Sequence, residues 1–266
     1  MNGDRLGNVR LRTGRAILFL FLVVWHQANA AEPLEEVSEH VYPLDPDGSV
    51  SLQAMDGSVL LYGNERPEVS IKTIKKAYSQ DRFKDININV KNTPKEVAIE
   101  TSITPRKKGL GLIDRSGTVD YVVIVPQSSR ISKIELVNGE LLIAGVRGGS
   151  VTAHLVNGLM TVYDCFENAD LATVNGRVEL VYNWWEDKKF SLKISNSQGQ
   201  IRTRFPPDAS VRVMARTITG GIVNALAGQS NPSEPVRSLD FTTTANPATS
   251  CELNSTNGNI RVEKTY

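Results

Sequence analysis

The segment Val156-Asn157-Gly158-Leu159-Met160-Thr161-Val162 decides the fold, because variants of it recur through the second half of the chain. Each variant has a turn residue, a glycine and then alternating apolar positions. The six copies span residues 137–143, 156–162, 174–180, 197–203, 218–224 and 256–262. Their glycines are 19, 18, 23, 21 and 38 residues apart. This spacing indicates a repeating unit of about twenty residues.

Two architectures use an Asn-Gly turn, because both residues tolerate backbone that reverses or bends a chain. In a hairpin, Leu136 would lie opposite Leu141 and Ile134 opposite Ile143. In a solenoid, each unit is one coil, and one apolar residue of each coil stacks in an interior column. That column would contain Leu141, Met160, Val178, Ile201, Ile222 and Ile260. Local pairing allows both, but the nearly constant spacing favours the solenoid, since a meander need not keep its turns in register.

The rest of the chain is also rich in strands. No stretch after residue 30 has a helical period over a dozen residues, whereas short alternating runs such as Thr118–Val125 recur. The polar segment Tyr78–Lys84 breaks the pattern as a helical turn or a loop. Asp47-Gly48 and Asp56-Gly57 have the same turn chemistry, but they are 9 residues apart and fall outside the twenty-residue spacing. The predicted fold class is all-β.

The first thirty residues resemble a secretory leader. Four arginines are followed by the apolar run Ala16–Trp25 and by Ala28-Asn29-Ala30, a pattern that signal peptidases cleave. A retained anchor is the weaker alternative, because ten residues are about half of the ~20 that a spanning helix needs. We expect a signal peptide over 1–30, an N-terminal β-strand region over 31–130 and a repeat region of the same domain over 131–266. The mature protein would be periplasmic or secreted, with no transmembrane anchor.

Several segments together carry a family resemblance: Val119–Pro126, Val137–Glu140, Ile143–Val146, Gly149–Val151, Phe205–Val211 and Gly221-Ile222. In this order they resemble the bacterial putative-adhesin family of β-strand-repeat domains, a family of unknown function, over roughly residues 45–262. The resemblance implies a β-solenoid similar to a parallel β-helix, preceded by more irregular N-terminal strands. It implies no catalytic residues.

The composition argues against several function classes. With 30 basic and 29 acidic residues, the chain has too little net charge to attract nucleic acid by charge alone. The two cysteines, Cys165 and Cys251, are predicted to remain unbonded, because about four coils would separate them in a regular solenoid.

Residues able to carry chemistry are scattered. After the leader, His40 and His154 have no partner at metal-ligand spacing, and neither a nucleophile elbow nor a phosphate loop occurs. Asp164, Glu167 and Asp170 could hold Ca²⁺, but their spacing fits a solvated corner better. We therefore predict no catalytic residue, no cofactor and no metal site.

The adjacent tryptophans Trp184 and Trp185 are the candidate ligand contacts. Indoles in a loop can stack on sugar rings or anchor a protein, although packing in the core is the favoured alternative. In a strand, one would point inward and the other outward. We predict a non-enzymatic, adhesin-like binding or structural module whose partner is a glycan or protein of the cell envelope. The alternative is a polysaccharide-acting enzyme of parallel β-helix type, with a face formed by Lys188, Lys189, Lys193, Arg202 and Arg204 near Asp164 and Asp170.

Overall fold

The computed structural model describes residues 32–104, 106–107, 113–114, 116–227 and 236–265. The leader predicted over residues 1–30 lies outside this part of the chain. The described chain is all-β apart from one short helix, α1, as the alternating runs predict. Within the described residues, no helix has the length and apolar composition that crossing a bilayer requires.

The N-terminal elements are β1 (Leu34–Pro43), β2 (Ser49–Asn64), β3 (Glu68–Ala77), α1 (Gln80–Asp85), β4 (Ile86–Thr93), β5 (Glu96–Ile103), β6 (Arg106–Lys107), β7 (Ile113–Asp114) and β8 (Thr118–Pro126). The C-terminal elements are β9 (Arg130–Ala144), β10 (Ser150–Tyr163), β11 (Asn168–Val181), β12 (Ser191–Phe205), β13 (Val211–Thr219), β14 (Ile222–Asn224), β15 (Ser238–Thr242) and β16 (Thr249–Lys264). The polar segment before β4 is thus a helical turn, capped by the Ser79 hydroxyl, which accepts from the Arg82 N–H.

The repeat units lie side by side as parallel strands, in the order β2, β9, β10, β11, β12, β16. Leu136 pairs with Leu155, and Leu141 pairs with Met160. The hairpin alternative is therefore wrong, because it required Leu136 to face Leu141. The repeat glycines are in register across the strands, as in the pairing of Gly158 with both Gly139 and Gly176.

Each long strand consists of two legs that meet at the Asn-Gly pair. In β10 the buried apolar side chains are Val151, Ala153 and Leu155 before the pair, and Met160 and Val162 after it. The step from 155 to 160 is odd, so the alternation between the two faces changes phase at the bend. Both legs consequently direct their apolar side chains into one interior.

The structure confirms that the six residues predicted for the interior column are buried. All six residues are almost fully buried: Leu141, Met160, Val178, Ile201, Ile222 and Ile260. Their order differs from the chain order, because β16 pairs with β12 on one side and with β13 and β14 on the other. Ile260 therefore lies between Ile201 and Ile222, and the last strand of the chain is internal to the sheet.

A ladder of side-chain amides follows the bends. The Nδ2 atom of Asn138 donates to Asp56 Oδ1 (2.6 Å), that of Asn157 to Asn138 Oδ1 (2.7 Å), and that of Asn175 to Asn157 Oδ1 (3.0 Å). Asp56-Gly57 is in register with Asn138-Gly139 and so joins the stack. The sequence spacing had placed this pair outside the repeat.

The N-terminal strands are less regular. β8 pairs parallel with β2 but antiparallel with β3, and β1 forms the exposed edge beside β3. β4 and β5 form an antiparallel pair that joins the sheet through parallel pairing of β5 with β2. The buried Arg82 links this region, since its guanidinium donates to the carbonyl oxygens of Ser116 (2.6 Å) and Thr104 (2.7 Å).

Candidate functional site

The loop between β11 and β12 carries both candidate tryptophans. Trp184 is 40% exposed, whereas Trp185 is partly buried and packs against the core. The two residues lie in a loop rather than a strand, and both rings contact Phe166, at centroid distances of 4.4 and 6.2 Å. The two indoles therefore do different things, one facing solvent and the other supporting the loop from beneath.

Trp184 packs against the ring of Phe166 and contacts the guanidinium group of Arg147. The centroids of Trp184 and Phe166 are 4.4 Å apart. The guanidinium carbon of Arg147 lies 4.6 Å from the Trp184 centroid and 5.7 Å from that of Phe166. This is cation–π geometry. The exposed indole is thus held between a ring and a guanidinium group.

Next to Trp184, aromatic side chains from the loops before β11 and β12 and from the C-terminal ends of those two strands pack together. Trp185 contacts Tyr182, Phe190 and Phe205 at centroid distances of 5.5, 5.8 and 6.0 Å. Tyr182 and Phe205 are nearly parallel, with centroids 5.7 Å apart. We call this set the aromatic platform: Phe166, Tyr182, Trp184, Trp185, Phe190 and Phe205. The Trp185 Nε1 atom is buried and has no hydrogen-bond partner within the described part of the chain.

Polar contacts fix both ends of the loop. The Asp164 carboxylate accepts from the backbone N–H and the side-chain amide of Asn183, each at 2.8 Å. Asp164 itself has a positive φ of 48°, a conformation that Asp tolerates better than most residues. At the far end Lys188 pairs with Glu167, and the Thr249 hydroxyl donates to the Lys188 carbonyl oxygen at 2.8 Å. The predicted solvated corner thus has a definite role, which is to position the loop that carries Trp184.

Burial holds neutral the titratable groups in and next to the platform. Burial raises the pKa of the Cys165 thiol to about 12, and it raises the pKa values of Cys251 and Tyr182 as well. The Tyr182 hydroxyl donates to the Cys165 carbonyl oxygen at 2.7 Å. Both cysteines are free thiols. A reactive thiolate is therefore disfavoured here at neutral pH.

A charged network covers the outer face of the second legs of β11, β12 and β16. Arg202 Nε lies 2.6 Å from a Glu263 oxygen, and Arg204 lies 3.4 Å from Glu179 and 3.9 Å from Glu263. Arg177 and Arg261 pair with the same two carboxylates. The structure thus brings Arg202 and Arg204 together with glutamates that the sequence analysis did not name. Lys188, in contrast, belongs to the loop anchor.

A long groove crosses the outer side of the bends, and the sequence analysis missed it. Its volume is about 650 Å³. Two columns of outward-facing side chains line it, four and two residues before each glycine. The first column contains Glu135, His154, Ala172, Ser195, Asn254 and Arg216, and the second contains Val137, Val156, Val174, Ser197, Thr256 and Ile218. We call this feature the outer groove.

The signal for the outer groove was present in the repeat itself. Valine precedes Asn-Gly in three copies, at Val137, Val156 and Val174. Because Leu136 and Leu155 point inward, each adjacent valine must point outward. A recurring aliphatic residue at an outward position indicates a surface that is not simply solvated.

Comparisons with known proteins bear on the fold. No family model matches the chain, and no curated protein matches it. Among solved structures, it is similar to a putative cell adhesion protein from Clostridium sporogenes, with a TM-score of 0.50, 15% identity, and coverage of 86% of this chain and 100% of the other. It also matches a putative adhesin from Bacteroides fragilis (TM-score 0.39, 9% identity, 85% and 97% coverage) and a putative lipid binding protein from Parabacteroides distasonis (TM-score 0.36, 10% identity, 86% and 97% coverage). The resemblance to putative adhesins expected from the sequence is confirmed, and at 15% identity it is a likeness of fold.

Proposed function

We propose that this protein is a non-enzymatic, adhesin-like binding module of the bacterial cell envelope. It would act in the periplasm or outside the cell, after removal of a signal peptide over residues 1–30. The partner would be a glycan or a protein of the envelope, contacted at the aromatic platform through Trp184 and Trp185. The observation that carries the proposal is Trp184, a large aromatic side chain 40% exposed on a loop that is anchored at both ends.

The architecture that we propose is a β-solenoid similar to a parallel β-helix, in which residues 31–130 and 131–266 form one domain. Parallel, in-register pairing of β9 to β12 supports the solenoid. Pairing of β2 with both β5 and β9 supports a single domain. A stack of this kind presents side chains from successive units at regular intervals, which suits an extended partner.

The state of Trp184 favours binding over structural packing. An indole whose only role was packing would be buried with the rest of the platform, as Tyr182 and Phe166 are. Exposed aromatic side chains held in one conformation contribute contact area at low entropic cost. Trp185 would act partly as a support, because its ring is enclosed by Tyr182, Phe190 and Phe205.

A binding screen of residues 31–266 against immobilised glycans and envelope proteins tests the proposal. Trp184→Ala should lose binding to the best hit by tenfold or more while melting as the wild type does. The matched control is Tyr78→Ala, which removes an aromatic side chain that is 66% exposed and outside the platform. Equal binding by Trp184→Ala and the wild type would show that the aromatic platform is not the binding site.

The alternative, a polysaccharide-acting enzyme of parallel β-helix type, has one observation in its favour. Glu179 and Glu263 lie on the outer faces of β11 and β16 and share Arg204 between them. Paired carboxylates with neighbouring cations can act on sugar chains. Release of new reducing ends from an acidic polysaccharide, abolished by Glu179→Gln, would favour the enzyme over the binding module.

A further inference from the structure

The outer groove has an aliphatic wall that no other part of the described chain covers. Val156, Val174 and Ile218 are 38%, 45% and 62% exposed, and all three lie two residues before a repeat glycine. Leaving such surface in water costs about 25 cal/mol per Å². Val156 and Val174 are neighbours on β10 and β11, whereas Ser197 and Thr256 separate Val174 from Ile218. Exposed apolar side chains gathered along one groove usually mark a contact site.

The smallest outward-facing side chains of the first column lie near the centre of the groove. Ala172 pairs with His154 on one side and with Ser195 on the other, and Ser195 pairs with Asn254. Two small residues at the centre are thus flanked by larger ones towards both ends. This profile leaves room for a narrow, continuous chain rather than for a broad ring.

The direction of the groove excludes an added β-strand. It crosses six strands, from β9 to β13, and at ~4.8 Å for each step its length is ~24 Å. The backbone groups along it already pair within the sheet, as in the β10–β11 register. A ligand in the groove must therefore contact the side chains that line it, because the backbone groups of the sheet are already paired there.

The chemistry of the lining distinguishes an acyl chain from a glycan. Among the described residues, no phenylalanine, tyrosine or tryptophan lines the groove, whereas sugar rings are typically held on the faces of such side chains. Valine and isoleucine instead provide aliphatic contact for methylene groups. The extended length of the groove is about that of a palmitoyl chain.

The charged side chains at the two ends of the groove differ in their partners. At the β13 end, Arg216 has no ion-pair or hydrogen-bond partner for its guanidinium group in the described part of the chain. At the β9 end lies Glu135, whose carboxylate is 2.7 Å from Lys133. A guanidinium group binds a carboxylate through two parallel hydrogen bonds, whereas the ion pair with Lys133 largely neutralises Glu135 at the other end. The β13 end is therefore the one suited to an anionic group.

We propose that the outer groove binds a long-chain fatty acid, with the acyl chain along Val156, Val174 and Ile218 and the carboxylate at Arg216. The site is separate from the aromatic platform, so the proposal does not depend on the proposed function. It assigns a ligand class to a surface that the adhesin-like role does not use.

Calorimetric titration with palmitate, kept below the concentration at which it aggregates, tests the proposal on residues 31–266. We expect saturable binding at one site. Myristate, shorter by two methylenes, should bind on the order of fourfold to tenfold more weakly, because each buried methylene contributes to binding. Hexadecanol, which lacks the carboxylate, should bind about threefold to tenfold more weakly than palmitate.

Variants locate the ligand. Ala172→Phe fills the centre of the groove from its outer face and should weaken palmitate binding at least tenfold, whereas Ala248→Phe, at an exposed alanine outside the groove, should have no effect. Val174→Glu places a charge on the acyl path and provides a second test that leaves the core unchanged. Arg216→Gln should reduce palmitate binding to the level of hexadecanol, and Lys193→Gln, at an exposed position on β12, should not.

Three results would overturn the proposal. The first is the absence of saturable palmitate binding. The second is equal binding by the wild type, Ala172→Phe and Val174→Glu with all three folded. The third is binding of an oligosaccharide that Ala172→Phe blocks while palmitate does not bind. Equal affinity of Arg216→Gln and the wild type for palmitate would contradict the placement of the carboxylate.

Discussion

The parallel stack and the N-terminal strands reach similar burial by different means. In the stack, every unit repeats the same bend, and each bend is in register with the next through its glycine and its side-chain amide. In the N-terminal region, register depends on single contacts, such as the 2.5 Å hydrogen bond between Thr101 and Tyr121. Repetition therefore makes the stack sensitive to backbone changes at any unit, whereas the N-terminal strands are sensitive to the loss of individual side chains.

The largest effect should follow a backbone change in the stack. Gly176 has a φ of +153°, and a Cβ atom at this position would collide with the carbonyl oxygen of Gly158. Gly176→Ala should therefore lower the free energy of unfolding by about 3 kcal/mol or more, as strain and overpacking combine. Urea denaturation measures the change.

The matched control is Gly145→Ala. Gly145 also has a positive φ, of +70°, but the nearest atom to an added Cβ would be 3.8 Å away. Strain alone should cost about 1–2 kcal/mol there. Similar losses in the two variants would show that close stacking of the glycines contributes nothing.

In the N-terminal region, the largest single loss should come from Arg82. Its side chain is only 4% exposed, and its guanidinium group satisfies the carbonyl oxygens of Ser116 and Thr104. Arg82→Met keeps the stem but leaves those acceptors without this donor, so we expect a loss of about 2–3 kcal/mol. Amide hydrogen exchange should increase in α1, β4 and β5 and stay unchanged in β10 to β12; uniform loss of protection would contradict a local role.

Alkaline pH should destabilise the stack first, through its two buried thiols. Burial raises the pKa values of Cys165 and Tyr121 to about 12, from 9.0 and 10.0 respectively, and it also raises that of Cys251. Because the folded state retains these protons, stability is fully present below the unfolded pKa and is lost as the pH rises towards the folded pKa. The decline should begin near pH 9 through the thiols of the stack.

Removing both thiols provides the test. In the double variant Cys165→Ala and Cys251→Ala, the decline in the free energy of unfolding should begin near pH 10 instead of pH 9, because tyrosine titration remains. The slope against pH is the quantity compared, since the loss of buried sulfur also lowers stability at every pH. An unchanged slope between pH 9 and 10 would argue against buried, protonated thiols.

The smallest effect should come from the amide ladder. Asn157 donates to Asn138 and accepts from Asn175. Asn157→Ala should cost about 1 kcal/mol, because these bonds are partly exposed to water. Asn92→Ala, at an exposed position in β4, should leave the melting temperature unchanged; equal shifts in both variants would mean that the ladder adds no stability.

The sequence identified the residues that point inward. Alternation about Asn-Gly predicted the buried column from Leu141 to Ile260. The polar segment before β4 was recognised as a helical turn or a loop. These features are local, because a side chain's direction depends on the backbone within a few residues of it.

Tertiary structure decided which strands are neighbours. β16 lies between β12 and β13. Asp56-Gly57 stacks on Asn138-Gly139 although the two pairs are 82 positions apart in the sequence. The outer groove and the anchoring of the Trp184 loop by Asp164 and Thr249 follow from those neighbours. The hydrophobic periodicity shows which side chains of a strand face inward, but it does not show which strands form hydrogen bonds with each other. Strand order depends on those hydrogen bonds over the whole sheet. The sequence alone therefore determined the faces of the strands, while only the folded sheet determined the surfaces that those faces form together.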